Sequence, residues 1–435
     1  MNTLSTGQFL IAAVLLVGSA TRAAAQAVSA DTLRLADALT RARAANPMLL
    51  VAQRAATAAA ARITQTGALP DPQLQFGLMN RMVSDFRSTM DPMTMNQVQL
   101  MQMLPWPGKL GGTRNAARHN AAAAQADALG QAQMLDAQVR MAYSDAAYMD
   151  RAVAVMGRTQ ELLRGFLDVS TTMYAVGSGV QQDVLRAQVE IGRMTEEIAR
   201  MGQGRIAAAA RLNALLGQET TSPIGPLELS DPGSVALPPV DSLVAWAFEE
   251  RPALRAGTER VAAAQAFLSA ARRELYPDFQ VGVQYQSRPA FPNMVSLMVG
   301  MNLPIFAGSK QLAMRREASA MRDMAAAELR SLRNETVARI VETRARAEQD
   351  RNLARLYRSS ILPQARGAVQ AALASYRVGR VSFMQLVDNQ MTVNRYETES
   401  IRVAADYNQA VGELEALVGR PLATDSAAAG AEGQQ

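Results

Sequence analysis

Residues 174–218 and 376–420 of this chain are two copies of one segment, held at a constant offset of 202 residues. Tyr174-Ala175-Val176-Gly177 recurs as Tyr376-Arg377-Val378-Gly379, Gln188 matches Gln390, and Leu216-Gly217 matches Val418-Gly419. Upstream the matches continue with small drifts: Asn46-Pro47 with Arg251-Pro252, Pro70-Asp71 with Pro277-Asp278, Leu104-Pro105 with Leu303-Pro304. A duplication on this scale implies one long unit used twice, with equivalent elements alternating around an axis. It divides the chain into a first repeat (26–217), a proline-rich linker (218–240) and a second repeat (241–420). Outside these lie an N-terminal segment (1–25) and a small, polar tail (421–435) whose composition predicts disorder.

Proline sets the scale of the helices. None occurs between Pro107 and Pro223, and only Pro363 lies between Pro304 and Pro421. A proline inside a helix costs about 3 kcal/mol, so these stretches permit very long helices. Leu135, Val139, Ala142, Ala146, Met149, Val153 and Met156 follow the 4-3 spacing of a coiled-coil seam lined by small residues. A helix over residues 108–174 would be about 100 Å long at 1.5 Å per residue, the length of a spacer. Each long helix is expected to turn back at Val176-Gly177 or Val378-Gly379. There glycine can take the positive φ of a helix C-terminus. Asp183 suits the first turn of the first returning helix, and Ser382 can cap the second.

Two segments per repeat break the helical pattern. Residues 73–78, 97–100, 279–286 and 295–303 alternate apolar and small or polar side chains, as in Phe279-Gln280-Val281-Gly282-Val283-Gln284-Tyr285-Gln286. A half-buried soluble sheet and a transmembrane β-barrel share that period. Set between such long helices, these strands have no soluble layer to pack on, which favours the membrane. Four strands cannot close a barrel, and open edges are not tolerated in hydrocarbon. Closed barrels start at about 8 strands, so three chains pooling about 12 is the natural solution.

Composition narrows the functional classes. Only 5% of residues are aromatic, which suits close packing on small side chains. A net charge of +5, with acidic and basic residues interspersed, does not make the clustered face of a nucleic-acid binder. There are no cysteines, so disulfides, thiolate metal sites and cysteine nucleophiles are excluded. Residues 9–17 form a short apolar core before Ala23-Ala24-Ala25, the pattern of an export signal. No phosphate-binding glycine loop, nucleophile elbow or paired-histidine motif is present, and neither catalysis nor a cofactor is expected.

These features together resemble the TolC-type outer-membrane efflux factors from about Leu33 to Gly419. Residues 91–110, with Leu104-Pro105-Trp106-Pro107-Gly108-Lys109, resemble the heavy-metal-efflux branch of CzcC- and CusC-like proteins. The resemblance implies a mainly α protein with membrane β-structure. It is a homotrimer whose 12-stranded barrel sits in the outer-membrane lipid of a Gram-negative cell. A long α-barrel crosses the periplasm to a periplasmic adaptor protein and an inner-membrane RND-type pump. It further implies adaptor contacts at the hairpin tips (Val176, Gly177, Gly179, Val378, Gly379) and a pore constriction just beyond them. The constriction residues are Asp388 and Gln385 of the second repeat and Asp183 and Arg186 of the first. With glutamine and arginine at two of these places, the ring carries fewer carboxylates than the family pattern.

Methionines 79, 82, 90, 93, 95, 101 and 103 crowd a short stretch. Thioethers are soft ligands for Cu(I), but methionine is also a flexible apolar filler. With residues 90–95 expected in an extracellular loop, filler is favoured and no metal site is expected. Histidine is represented by His119 alone, expected on a helix surface. Two rival functions remain: a duct for drugs or for type I protein secretion, and a soluble coiled-coil scaffold without a pore.

Overall fold

The computed structural model describes residues 32–81, 93–232, 237–289 and 291–422. The expected export signal, Met82, Met90 and the tail beyond Leu422 lie outside them. In the first repeat, α1 (Leu35–Ala45) stops at Asn46, whose side chain accepts a 2.9 Å hydrogen bond from the Met48 amide and so caps α2 (Pro47–Gly67). Strands β1 (Gln73–Met79) and β2 (Met95–Leu104) follow, then α3 (Lys109–Ala175) and α4 (Gln181–Leu215). The second repeat runs α5 (Val240–Glu250), α6 (Pro252–Arg273), β3 (Asp278–Ser287), β4 (Met294–Asn302) and α7 (Gln311–Leu356). A π-helical turn (Tyr357–Ile361), α8 (Leu362–Arg377) and α9 (Phe383–Val418) complete it.

At 67 residues, α3 is the spacer that the missing prolines allow. Its expected seam is buried at Leu135, Val139, Ala142 and Ala146, but half-buried at Met149 and Val153. Met156, the last seam residue, is buried again, but the buried line there also takes in Ala152, Val155, Thr159, Leu163 and Phe166. A straight helix drifts against a strict seven-residue repeat, so one stripe cannot stay buried along a helix that packs successively on several partners. In the second repeat Pro363 sits just after the π-helical turn. Its ring would clash with the carbonyl four residues earlier, and the widened turn relieves that clash within a continuous rod.

The four strands form one antiparallel sheet in the order β1-β2-β3-β4. Besides the pairs within each repeat, β2 pairs with β3 from Asn96↔Ser287 to Leu104↔Phe279. The repeats are therefore fused through the middle of the sheet, leaving β1 and β4 as its edges. The linker is also no slack tether. Leu227 and Leu229 are buried against Tyr143 and Leu212, and the Tyr143 hydroxyl donates a 2.8 Å hydrogen bond to the Leu33 carbonyl.

Among the described residues of the helical region, several buried side-chain atoms lack a hydrogen-bond partner, and one of them belongs to a carboxylate. Asp350 on α7 is 8% exposed, and its Oδ2 has no hydrogen-bond partner. Burial, then the nearby Asp406 carboxylate, push its carboxyl up to about 6, against the opposing pull of Arg346. A carboxyl whose folded value lies above its unfolded value of 3.8 favours folding only while protonated. Its cost appears as pH rises from about 4 to about 6 and is complete above that window. Asp350→Asn should therefore stabilise the protein at pH 7.5 by on the order of 1–3 kcal/mol, and give no gain at pH 3.5. Apparent melting temperatures in detergent at the two pH values check this, and an equal gain at both would refute it.

Candidate functional site: membrane sheet, elbow and helix tips

The two faces of the sheet differ sharply. Cross-strand rows Phe76–Val98–Tyr285–Val295 and Leu74–Leu100–Val283–Leu297 share one face, and Gln75–Gln99–Gln284–Ser296 lie on the other. Along β2 and β4 the residues of the Leu/Val face are mostly exposed, whereas Met95, Gln97, Gln99, Met101 and Met103 of β2 and Ser296 and Met298 of β4, on the opposite face, are half-buried. The more exposed Leu/Val face is thus convex, and the opposite face, which carries glutamine, serine and methionine, is concave. A side-chain hydrogen bond from Gln284 to Gln97 ties β3 to β2 on the concave face.

Where β2 gives way to α3, a charged lock joins the repeats. Asp278, the first residue of β3, accepts a 2.8 Å hydrogen bond from the Trp106 amide. Its carboxylate also lies 2.9 Å from the Lys109 amine, which Glu274 approaches at 3.2 Å. Lys109 is buried, unusual for a lysine unless paired. The Trp106 ring stacks on Tyr276 and Phe279 at 5.0 and 5.8 Å. Gly108 takes φ +89°, turning the chain into α3, and Gly112 lets α3 approach α6 closely: a Cβ there would lie 2.9 Å from the Ala270 Cβ.

At the far end, α3, α4, α8 and α9 close over a core that includes Leu163, Phe166, Met194, Phe383 and Leu386. Both turns have the expected geometry, with φ +72° at Gly177 and at Gly379. Val176 and Val378 project at 72% and 67% exposure, Gly177 and Gly379 are exposed, and Gly179 is half-buried. Ser382 caps α9 by accepting from the Gln385 amide at 3.3 Å, and Asp183 lies in the first turn of α4.

The four constriction candidates do not form one cluster within the chain. Gln385 and Asp388 are exposed on the first turns of α9. Arg186 instead pairs at 3.0 Å with Glu190, a buried carboxylate that Arg193 also approaches at 3.4 Å. Asp183 accepts a 3.1 Å hydrogen bond from the hydroxyl of Tyr376. Sequence reasoning missed Tyr376 and Glu190. Tyr376 was visible only as half of a repeated pair, yet its counterpart Tyr174 is 49% exposed while Tyr376 is 4% exposed. Burial, then the Asp183 carboxylate, push the Tyr376 hydroxyl up to about 12, so it remains a donor at any ordinary pH. His119 lies on α3 as expected, half-buried, with Nδ1 2.7 Å from a Glu259 oxygen on α6. Among the described residues no three His, Cys, Asp or Glu side chains are grouped to hold a metal ion.

The sequence matches the outer membrane efflux protein family over residues 38–218 and 243–420, nearly the whole described chain. The chain belongs to this family. The efflux protein is 25% identical over 403 residues to the cobalt-zinc-cadmium resistance protein CzcC of Cupriavidus metallidurans, covering 90% of this chain and 91% of that one. Among solved structures it superposes on CusC with a TM-score of 0.78, at 16% identity and covering 90% and 93% of the two chains. The CmeC outer membrane channel of Campylobacter jejuni gives 0.76 at 13% identity, covering 92% and 89%. The fold is therefore that of the TolC-type channels, an α-barrel continued by a membrane β-barrel, and the efflux protein resides in the outer membrane. No described helix is long and apolar enough to cross a membrane.

Proposed function

We propose that this efflux protein is the exit duct of a tripartite heavy-metal pump, trimeric in the outer membrane, joined through its helix tips to a periplasmic adaptor and an inner-membrane RND-type pump. The observation that carries the duct is the sheet: aliphatic and aromatic on its convex face, rich in glutamine on its concave face, with β1 and β4 open at its edges. In lipid those edges need partners, and the β1 and β4 of sister chains supply them, giving 12 strands around a polar lumen. Heavy-metal cations as cargo are supported by the CzcC relationship over nearly the full length of both chains. The division into two repeats of 26–217 and 241–420 about a linker remains part of this reading.

The gate lies at the tips. The Tyr376–Asp183 hydrogen bond joins the end of α8 to the start of α4 across the two repeats, so any dilation that separates these helices breaks it. An adaptor gripping the exposed Val176 and Val378 can supply the opposing contacts. Asp388 and Gln385, exposed on α9, are assigned to the constriction.

Single-channel recording in planar bilayers tests both parts. A hydrogen bond of about 1 kcal/mol corresponds to about fivefold in an open-to-closed ratio. Tyr376→Phe and Asp183→Ala should therefore raise the open probability by about that factor, while Tyr174→Phe leaves it unchanged. Asp388→Ala with Gln385→Ala should alter closed-state conductance and cation preference. Unchanged recordings from that pair would remove the constriction assignment, and a wild-type protein that never conducts would remove the duct.

A further inference from the structure

Seven methionines lie within the four strands, and six of them (79, 95, 101, 103, 294 and 298) fall on the concave face, against Met301 alone on the convex face. This distribution opposes their expected role as filler. Apolar filler belongs on the convex, lipid-facing side, where Leu, Val and Phe already serve. It also corrects the placement of Met95, expected in a loop but the first residue of β2 and opposite Met79, the last residue of β1.

Three of these methionines are neighbours in register. Gly282 is flanked in register by Met101 on β2 and Met298 on β4. Adjacent strands are about 4.8 Å apart, so the two methionines reach toward each other across a residue with no side chain. Met101 already leans over it: a Cβ on Gly282 would lie 3.1 Å from its Cγ and 3.6 Å from its sulfur. Met103, the next residue on this face of β2, pairs with Gln280, which pairs in turn with Gly300, above which space is open. The two glycines lack side chains beside these three methionines, which leaves a shallow depression in the residue rows of this face. No lysine or arginine stands on this face of the strands, so nothing there repels a cation.

We propose that this depression binds a soft monovalent metal ion, of the Cu(I) or Ag(I) class, through the sulfurs of Met101, Met103 and Met298. Thioethers select such ions over Zn(II) and other borderline cations, which prefer imidazole, thiolate or carboxylate. The inference rests on the duct reading in placing these sulfurs along the route of the cargo, and it makes soft monovalent ions part of that cargo.

The test is a titration of the purified full chain in detergent with Ag(I), in chloride-free nitrate buffer. The protein has no cysteine and a single histidine, so thiolate cannot supply the signal. Calorimetry, with the methionine ε-methyl carbons followed by NMR, should show saturable binding that shifts the methyls of residues 101, 103 and 298. The triple variant Met101→Leu/Met103→Leu/Met298→Leu keeps side-chain volume nearly constant and should bind Ag(I) about tenfold more weakly or worse. Met301→Leu, on the opposite face, should bind as wild type does, and Zn(II) should not displace the silver. Equal Ag(I) binding by the triple variant and wild type, or equal weakening by Met301→Leu, overturns the site. Bilayer conductance separates the two readings. Conducting channels with no thioether-dependent silver binding refute this inference and leave the duct standing. A non-conducting wild type refutes the duct, while the titration still decides the site.

Discussion

Replacing Asp278 by alanine should be among the most damaging single changes in this protein, with a loss of about 3 kcal/mol or more. The carboxylate serves two groups at once, the Trp106 amide at 2.8 Å and the buried Lys109 amine at 2.9 Å. Removing one member of a buried ion pair is costly because the other keeps its desolvation penalty without its partner. Glu274, 3.2 Å from the same amine, softens the loss but cannot reach the amide hydrogen bond that Trp106 makes. The consequence is positional as well as energetic. Trp106 stacks on Tyr276 and Phe279 at this corner, so the lock fixes the direction in which α3 leaves the sheet. Asp278→Ala should therefore show less assembled protein in the outer membrane and earlier urea unfolding in detergent. Pairing Lys109→Met with Asp278→Leu, which removes both charges, should recover much of the loss. A fall of less than about 1 kcal/mol for Asp278→Ala alone would show that the lock is not needed.

Much of this architecture was legible in the sequence because it depends on local rules. The absence of proline over residues 108–222 yields α3, the glycines after Val176 and Val378 yield the tips, and the two-residue period yields all four strands. The rest depends on contacts between distant segments, which local patterns do not encode. The pairing of β2 with β3 is set where α3 and α6 pack through Gly112 and Ala270, and no alternation of residues announces it. The Tyr376–Asp183 contact breaks the symmetry of the repeats. Both copies carry the tyrosine, but only the second buries it, where its ring packs against Phe383 at 5.5 Å within the core of the tip. Arg186 was read as a pore residue from its place in the repeat. The structure gives it Glu190, one turn along its own helix, a pairing that its four-residue spacing could have suggested. The methionines were counted correctly but read by proximity in the chain, and only the strand register shows that they share a face.

Gly217 and Gly419, the last matched pair of the duplication, should tolerate substitution far less well than the glycines of the tips. All four adopt positive φ, at +66°, +96°, +72° and +72° for residues 217, 419, 177 and 379. The intrinsic penalty for placing alanine there is similar, about 1–2 kcal/mol. The surroundings differ. A Cβ on Gly217 would lie 2.8 Å from the Ala45 carbonyl oxygen, and one on Gly419 would lie 2.9 Å from the Glu250 carbonyl, whereas at Gly177 and Gly379 it meets open space. The crowded neighbours are backbone and cannot rotate away. They are also held: the Asn46 side chain donates to the Leu215 carbonyl at 3.0 Å, and Arg420 pairs with Glu250 at 3.1 Å while lying over Trp246. In each repeat this glycine is where the returning long helix closes on the short N-terminal helices. Gly217→Ala and Gly419→Ala should thus each cost several kcal/mol, on the order of 3–5 with the clash included, and lower the apparent melting temperature markedly. Gly177→Ala and Gly379→Ala should lose only about 1–2 kcal/mol and affect coupling to the adaptor more than folding. If all four variants melted alike, positive φ alone would account for these glycines, and the close approach at 217 and 419 would contribute nothing to the closure of either repeat.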